Sequence, residues 1–202
     1  MAAMDSATHS VKHEIAIAAA RLVVDEGLEY GPAKKRALKQ LGLPARTELP
    51  DNRLLEQAVR EHIELFCADT QPGELRALRE LALVWMERLA EFRPHIGGAV
   101  WHGTATRLSD IYLQLFCDDP KSAEIRLIDQ GVDYQPSTVT GFNGKPVEAL
   151  SLSSRCEALG EHVGVHLMVH DLDDQRGALR LDDQGRRPRG DEAALRVLLA
   201  AH

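Results

Sequence analysis

Ile96-Gly97-Gly98-Ala99-Val100-Trp101-His102-Gly103-Thr104-Ala105-Thr106-Arg107-Leu108-Ser109-Asp110-Ile111-Tyr112-Leu113 is where the chain changes character. Upstream, apolar residues recur at helical spacing. Ile15, Ala19, Leu22 and Val23 mark a helix over 13–26 that Gly27 can stop. Gly31-Pro32 opens a second over 33–41, with Lys34, Lys35, Arg36 and Lys39 on its exposed side. Pro50-Asp51 starts a third, carrying Leu54, Leu55, Ala58, Ile63 and Phe66. Pro72 sits in the first turn of a fourth, whose buried stripe is Leu75, Leu78, Leu81, Ala82, Trp85, Met86 and Leu89. Downstream of Pro94 the period shifts towards two, beginning with a short, Gly-containing apolar strand over 96–101. Residues 110–116 alternate as a strand, 122–130 form a helix behind Asp118-Asp119-Pro120, and Gly131 closes it. Residues 132–139 and 145–152 read as two strands joined through Gly141-Phe142-Asn143-Gly144. Residues 163–169 are a further strand, 173–190 a polar loop, and Asp191 can cap a last helix over 193–200. The expectation is an α+β chain: a helical region over 1–93, then a mixed sheet with flanking helices over 94–202.

Composition narrows the functions. With 202 residues, 44% hydrophobic and 27% charged, the chain can bury a real core. Aromatic residues make up only 4%, too few for a base-stacking surface, and the net charge of −7 gives phosphate neutralisation little help. Nucleic acid is therefore not the expected partner. Cys67, Cys117 and Cys156 show no zinc or disulfide spacing and read as buried free thiols. No signal-peptide core occupies residues 1–12, and no apolar run approaches the roughly 18 residues of a membrane span. The default location is the cytoplasm, with no membrane partner. Neither a phosphate-binding Gly-x-x-x-x-Gly-Lys-Ser/Thr loop nor a Gly-x-Ser-x-Gly elbow is present.

The opening stretch resembles the signature of the DNA polymerase beta-like nucleotidyltransferase superfamily. In that family an apolar residue precedes Gly-Gly or Gly-Ser, and about a dozen residues later Asp-x-Asp or Asp-x-Glu begins a strand. Gly97-Gly98 matches the glycine turn, whose backbone N–H groups can approach phosphate oxygens closely. Gly103-Thr104-Ala105 and Ser109-Asp110-Ile111 match the approach to the first carboxylate. The resemblance implies a nucleotidyltransferase-like sheet, a nucleoside triphosphate held by Gly97, Gly98, Thr104 and Ser109, and Mg2+ or Mn2+ on Asp110, the one catalytic carboxylate. Carboxylates at i and i+2 of a strand share a face, which lets them share metal ions. Here Tyr112 stands at the second position, and a neutral phenol is a poor magnesium ligand. The third carboxylate belongs on a neighbouring strand. The best candidate, 163–169, offers His166, with Glu148 as an alternative. The helices and Arg176-Gly177-Ala178-Leu179 further resemble short proteobacterial members that often depart from the Asp-x-Asp pattern. The implied function is nucleotide binding with weak or lost nucleotidyl transfer.

Plainer readings stand beside these. Gly97-Gly98 also fits a tight turn or bulge, and Asp110 a strand start. His162, His166 and His170 share a strand face, but positions four apart on a strand lie about 13 Å from each other, too far for one ion to hold all three. A mixed site of His166 with Asp110, extended by His102, stays open. Asp171, Asp173 and Asp174 read as a solvated turn, lacking the Gly and distal Glu of a calcium loop. A non-catalytic interaction module on the same fold is the alternative function. A TetR-like regulator is a third, since 18–42 is similar to the start of such proteins; the prolines Pro44 and Pro50 interrupt the place of a recognition helix.

Overall fold

In the computed structural model, residues 2–182 and 185–201 are described, the first eight of them by backbone alone. The expected loop over 173–190 thus includes two residues, 183 and 184, that lie outside the described ones. The chain forms two compact units, Met1–Pro72 and Gly73–His202.

The first unit is helical. Helix α1 spans Ala2–Glu26, α2 Tyr30–Gln40 and α3 Asn52–Phe66. Asp51 caps α3, its Oδ1 accepting the Leu54 N–H at 2.7 Å. Ile15, Ala16, Ala19 and Leu22 of α1 pack with Ala33 and Ala37 of α2 and Leu55, Val59 and Ile63 of α3. Small residues on α1 and α2 let these helices approach closely. Lys34 donates to Pro50 O and Asn52 Oδ1, and Arg36 forks onto Glu26, so half of the basic cluster serves local structure.

The second unit begins with helix α4, Gln71–Arg88, which carries Leu78, Ala82, Trp85 and Met86 into the same core as the sheet. The change of period near Pro94 and the division into units at Pro72 therefore fall at different places. Strand β1 is His95–Gly97, helix α5 Gly98–His102, strand β2 Ile111–Cys117 and helix α6 Lys121–Asp129. Strand β3 is Gln135–Thr140, β4 Pro146–Cys156 and β5 Glu161–Asp171, followed by a 3-10 turn, the short helix α7 (Gln175–Ala178) and α8 (Glu192–Ala200). The sheet order is β1-β2-β5-β4-β3; β2 and β5 run parallel, and the other pairs are antiparallel. This is the expected mixed sheet behind a helical N-terminal region.

Alternation decides which face is the core. Ile111, Leu113, Leu115, Leu150, Leu152, Val165, Leu167 and Val169 all point to one side, against α4, α6 and α8. Trp85 lies there with its indole N–H donating to Ser154 Oγ at 2.9 Å. The opposite side carries Tyr112, Gln114, Ser151, His166 and His170. The Gly141–Lys145 turn closes the β3–β4 hairpin, with the Gly141 N–H bonded to Lys145 O and Gly144 at φ +77°. Asp191 Oδ1 caps α8 through the Ala194 N–H at 2.8 Å. Among the described residues Cys67, Cys117 and Cys156 form no disulfide; Cys156 is fully buried and the other two are half-buried.

Candidate functional site

The register of the sheet assembles one transverse row on the non-core side. Gly97 of β1 pairs with Tyr112 of β2, Tyr112 with His166 of β5, His166 with Ser151 of β4, and Ser151 with Gln135 of β3. Asp110 immediately precedes β2 at the same end of the sheet. The opening stretch therefore divides in two: Gly97 ends β1, and Gly98, at φ +66°, turns the chain into α5. That conformation suits glycine. A side chain at Gly98 would also meet Tyr112, its Cβ lying 3.8 Å from Tyr112 Cδ2. The glycine turn and the lone carboxylate thus occupy one rim.

Asp110 is tied down at both oxygens. Oδ1 accepts the Gly164 N–H at 3.2 Å, and Oδ2 lies 3.1 Å from His166 Nε2. Gly164 permits this, because a Cβ there would sit 2.5 Å from Asp110 Oδ1. The hydrogen bond from His166 holds the Asp110 carboxyl below the ordinary carboxylate range; partial burial opposes the shift, and the His166 charge and the Gly164 N–H reinforce it. On its other side, His166 Nδ1 is 2.9 Å from Ser151 Oγ. The Tyr112 ring stacks on the imidazole, centroids 4.8 Å apart at 25°. The Asp110 and His166 side chains remain 46% and 25% exposed, so solvent reaches the group.

Of the expected residues, Gly97, Gly98, Asp110 and His166 come together. Thr104 and Ser109 serve turns: Thr104 is buried, with its N–H closing α5 onto Ala99 O, and Ser109 Oγ accepts the Thr106 N–H at 3.0 Å. Tyr112 and His166 stand side by side on the paired strands β2 and β5. Glu148 points elsewhere, towards Lys121. His170 is buried between Phe116 and Phe142 and bonds Gln114, while His162 is exposed on the strand opposite Arg155. The three histidines do not converge. Asp171 caps the 3-10 turn through the Asp173 N–H. Sequence reasoning missed Ser151 and Gly164. Ser151 lies within an alternating strand whose partner residue depends on register alone.

These residues do not fit a two-magnesium centre. His166 Nε2 and Asp110 Oδ2 face each other at hydrogen-bond distance, Asp110 Oδ1 is taken by Gly164, and His166 Nδ1 by Ser151. Among the described residues no group of three His, Cys, Asp or Glu side chains could hold a metal ion. Nor, among them, is any helix long and apolar enough to cross a membrane. In the first unit, no helix stands between Gln40 and Asn52, where a TetR-like recognition helix would follow α2.

No family model matches the sequence, and no curated protein matches it. Among solved structures, the chain is similar to Cid1 in complex with the UTP analogue UMPNPP, at 14% identity and TM-score 0.35, over 57% of this chain and 36% of that one. Cid1 poly(U) polymerase bound to MgGTP gives 14% identity and TM-score 0.35 over 55% and 37%. Cid1 with its short product ApU gives 15% and 0.35 over 55% and 35%. The chain spans little more than a third of the length of these structures. A likeness of this size leaves the site to be read from its own geometry.

Proposed function

We propose that the second unit is a nucleotidyltransferase-like domain that binds a nucleotide and has lost two-metal nucleotidyl transfer. One observation carries the reading: Gly97, Tyr112 and His166 form a single row across β1, β2 and the parallel β5, with Asp110 two residues before Tyr112 where the chain enters β2. That is the arrangement the signature calls for, a glycine turn beside a carboxylate strand and its neighbour, with two of the three acids replaced. A phosphate oxygen would be met by backbone N–H groups of the Gly97-Gly98 turn. Tyr112 and His166 present flat rings in place of metal ligands. With a single carboxylate, already bonded twice, Mg2+ or Mn2+ has no ligand set to bring to the reacting phosphate.

Thermal shift with ATP, GTP, CTP and UTP, each with and without Mg2+ or Mn2+, tests this. A nucleotide at a hundred times its dissociation constant adds about 2.7 kcal/mol of stability. The expected result is stabilisation by at least one nucleotide, largely independent of metal, with no transfer product. Stabilisation by none of them would leave an interaction module on the same fold. Any magnesium-dependent transfer that survives Asp110→Ala would place the chemistry elsewhere.

A further inference from the structure

Ser151, His166 and Asp110 form a continuous hydrogen-bonded line whose polarity can be assigned. An ionised Asp110 only accepts, so the 3.1 Å contact requires a proton on His166 Nε2. In the neutral imidazole, Nδ1 then carries a lone pair and faces Ser151 Oγ at 2.9 Å. The serine hydroxyl is the remaining donor. The fold enforces each contact. Ser151 and His166 are direct partners across β4 and β5, the His166 ring is braced by Tyr112, and the missing side chain of Gly164 makes room for the Asp110 carboxylate. A hydroxyl, a base within hydrogen-bond reach and a third group orienting that base make an activated nucleophile.

We infer that Ser151 is a nucleophilic serine that takes up acyl groups from small carboxylic esters, with His166 as its general base and Asp110 as the positioning residue. In the first step Ser151 Oγ bonds to the ester carbonyl carbon while its proton passes to His166 Nδ1. The bond from that carbon to the alcohol oxygen breaks, and the proton on Nδ1 leaves with the alcohol. Water then attacks the acyl-serine, gives one proton to Nδ1, and Ser151 Oγ recovers it as the acid departs. Ester and water become acid and alcohol, and the residues return to their starting state. Asp110 pairs with the transient imidazolium and holds its tautomer. The inference is independent of whether the domain binds a nucleotide, since neither the nucleophile nor the ester involves one.

The test is labelling of the full chain with a fluorophosphonate probe, followed by intact mass and peptide mapping. Expected is a single adduct on Ser151, absent from Ser151→Ala and retained by Ser153→Ala, whose hydroxyl lies on the same strand and faces Gly164 across the sheet instead of a base. His166→Gln should slow labelling by about 10²-fold or more, the range of general-base catalysis. Asp110→Asn should slow it as well and shift His166 away from the Nε2–H tautomer, read from its imidazole nitrogen NMR signals, a change that loss of stability alone would not produce. A wild-type chain left unlabelled, or labelled at another residue, overturns the inference whatever the variants do. So does an unchanged rate in folded His166→Gln. Nucleotide stabilisation without labelling would sink this inference alone, and labelling without nucleotide stabilisation would sink only the proposed function.

Discussion

Gly164 is the residue on which the site's geometry is most exposed to test. Its absent side chain is the space that the Asp110 carboxylate occupies. Gly164→Ala should push Asp110 outward and break both of its hydrogen bonds. Asp110 is nearly half exposed, so the expected stability loss in urea unfolding is small, about 1 kcal/mol or less. The Nε2-bound proton of His166 should lose its carboxylate and its NMR signature together. A site indifferent to Gly164→Ala would mean that Asp110 is held by something else. His170 poses the opposite case. It is buried, its Nε2 bonds Gln114 and its Nδ1 has no hydrogen-bond partner among the described residues. Burial, seconded by the nearby Arg189 charge, lowers its pKa from the ordinary 6.5. The unfolded chain therefore takes up a proton at this position before the folded chain does, and stability falls as pH drops below 6.5 towards the lower folded value. Melting temperature measured across that range should fall less steeply in His170→Gln than in the wild type. The sequence made Asp110 and His166 visible as a pair because the signature marks one and the strand pattern the other. Ser151 stayed hidden for a physical reason: a slip of one residue between β4 and β5 would turn it to the opposite face, and no local feature of 146–156 sets that register.

At the scale of elements, caps and turns were the legible features because their chemistry is local. Asp51 and Asp191 were readable as helix starts, and each accepts the N–H three residues on. Replacing either by alanine removes that bond and leaves an orphan donor, at an expected cost of about 1 kcal/mol each, within the usual range for such caps. Urea unfolding checks both, and an unchanged midpoint in Asp191→Ala would mean that α8 adds nothing to the second unit's stability. The Asn143-Gly144 turn was likewise legible from its residues, and β3 and β4 flank it as expected. Residues 96–101 read as one short strand, but only His95–Gly97 is β1, and Gly98–His102 is the five-residue helix α5. Ile96, Val100 and the glycines between them carry too few positions to show either period, and only pairing with β2 makes His95–Gly97 a strand. The short α7 within the expected loop has the same origin, a single turn below the length that periodicity can report.

At the scale of the molecule, the second core begins before the change of pattern that marks it in the sequence. Leu78, Ala82, Trp85 and Met86 of α4 belong to the cluster that holds Leu113, Leu150 and Leu167 of the sheet, whereas Ile15, Ala19, Leu55 and Val59 form a cluster of their own. Period reports local structure, and it cannot say with which element a helix will share its core. Two separate apolar clusters within one chain make a single all-or-none transition the wrong expectation. Leu55 and Leu167 are both fully buried, one in each cluster. Truncating a buried leucine to alanine costs about 2–5 kcal/mol through lost transfer energy and the residual cavity. Calorimetry should therefore resolve two transitions: Leu55→Ala lowers one and leaves the other in place, and Leu167→Ala does the reverse. A nucleotide that binds beside Gly97 and Gly98 should raise only the transition that Leu167→Ala lowers, because stabilisation by a ligand falls on the unit that holds it. If both substitutions shifted one shared transition equally, the two clusters would unfold as one body, and a nucleotide-induced shift could no longer be assigned to the sheet.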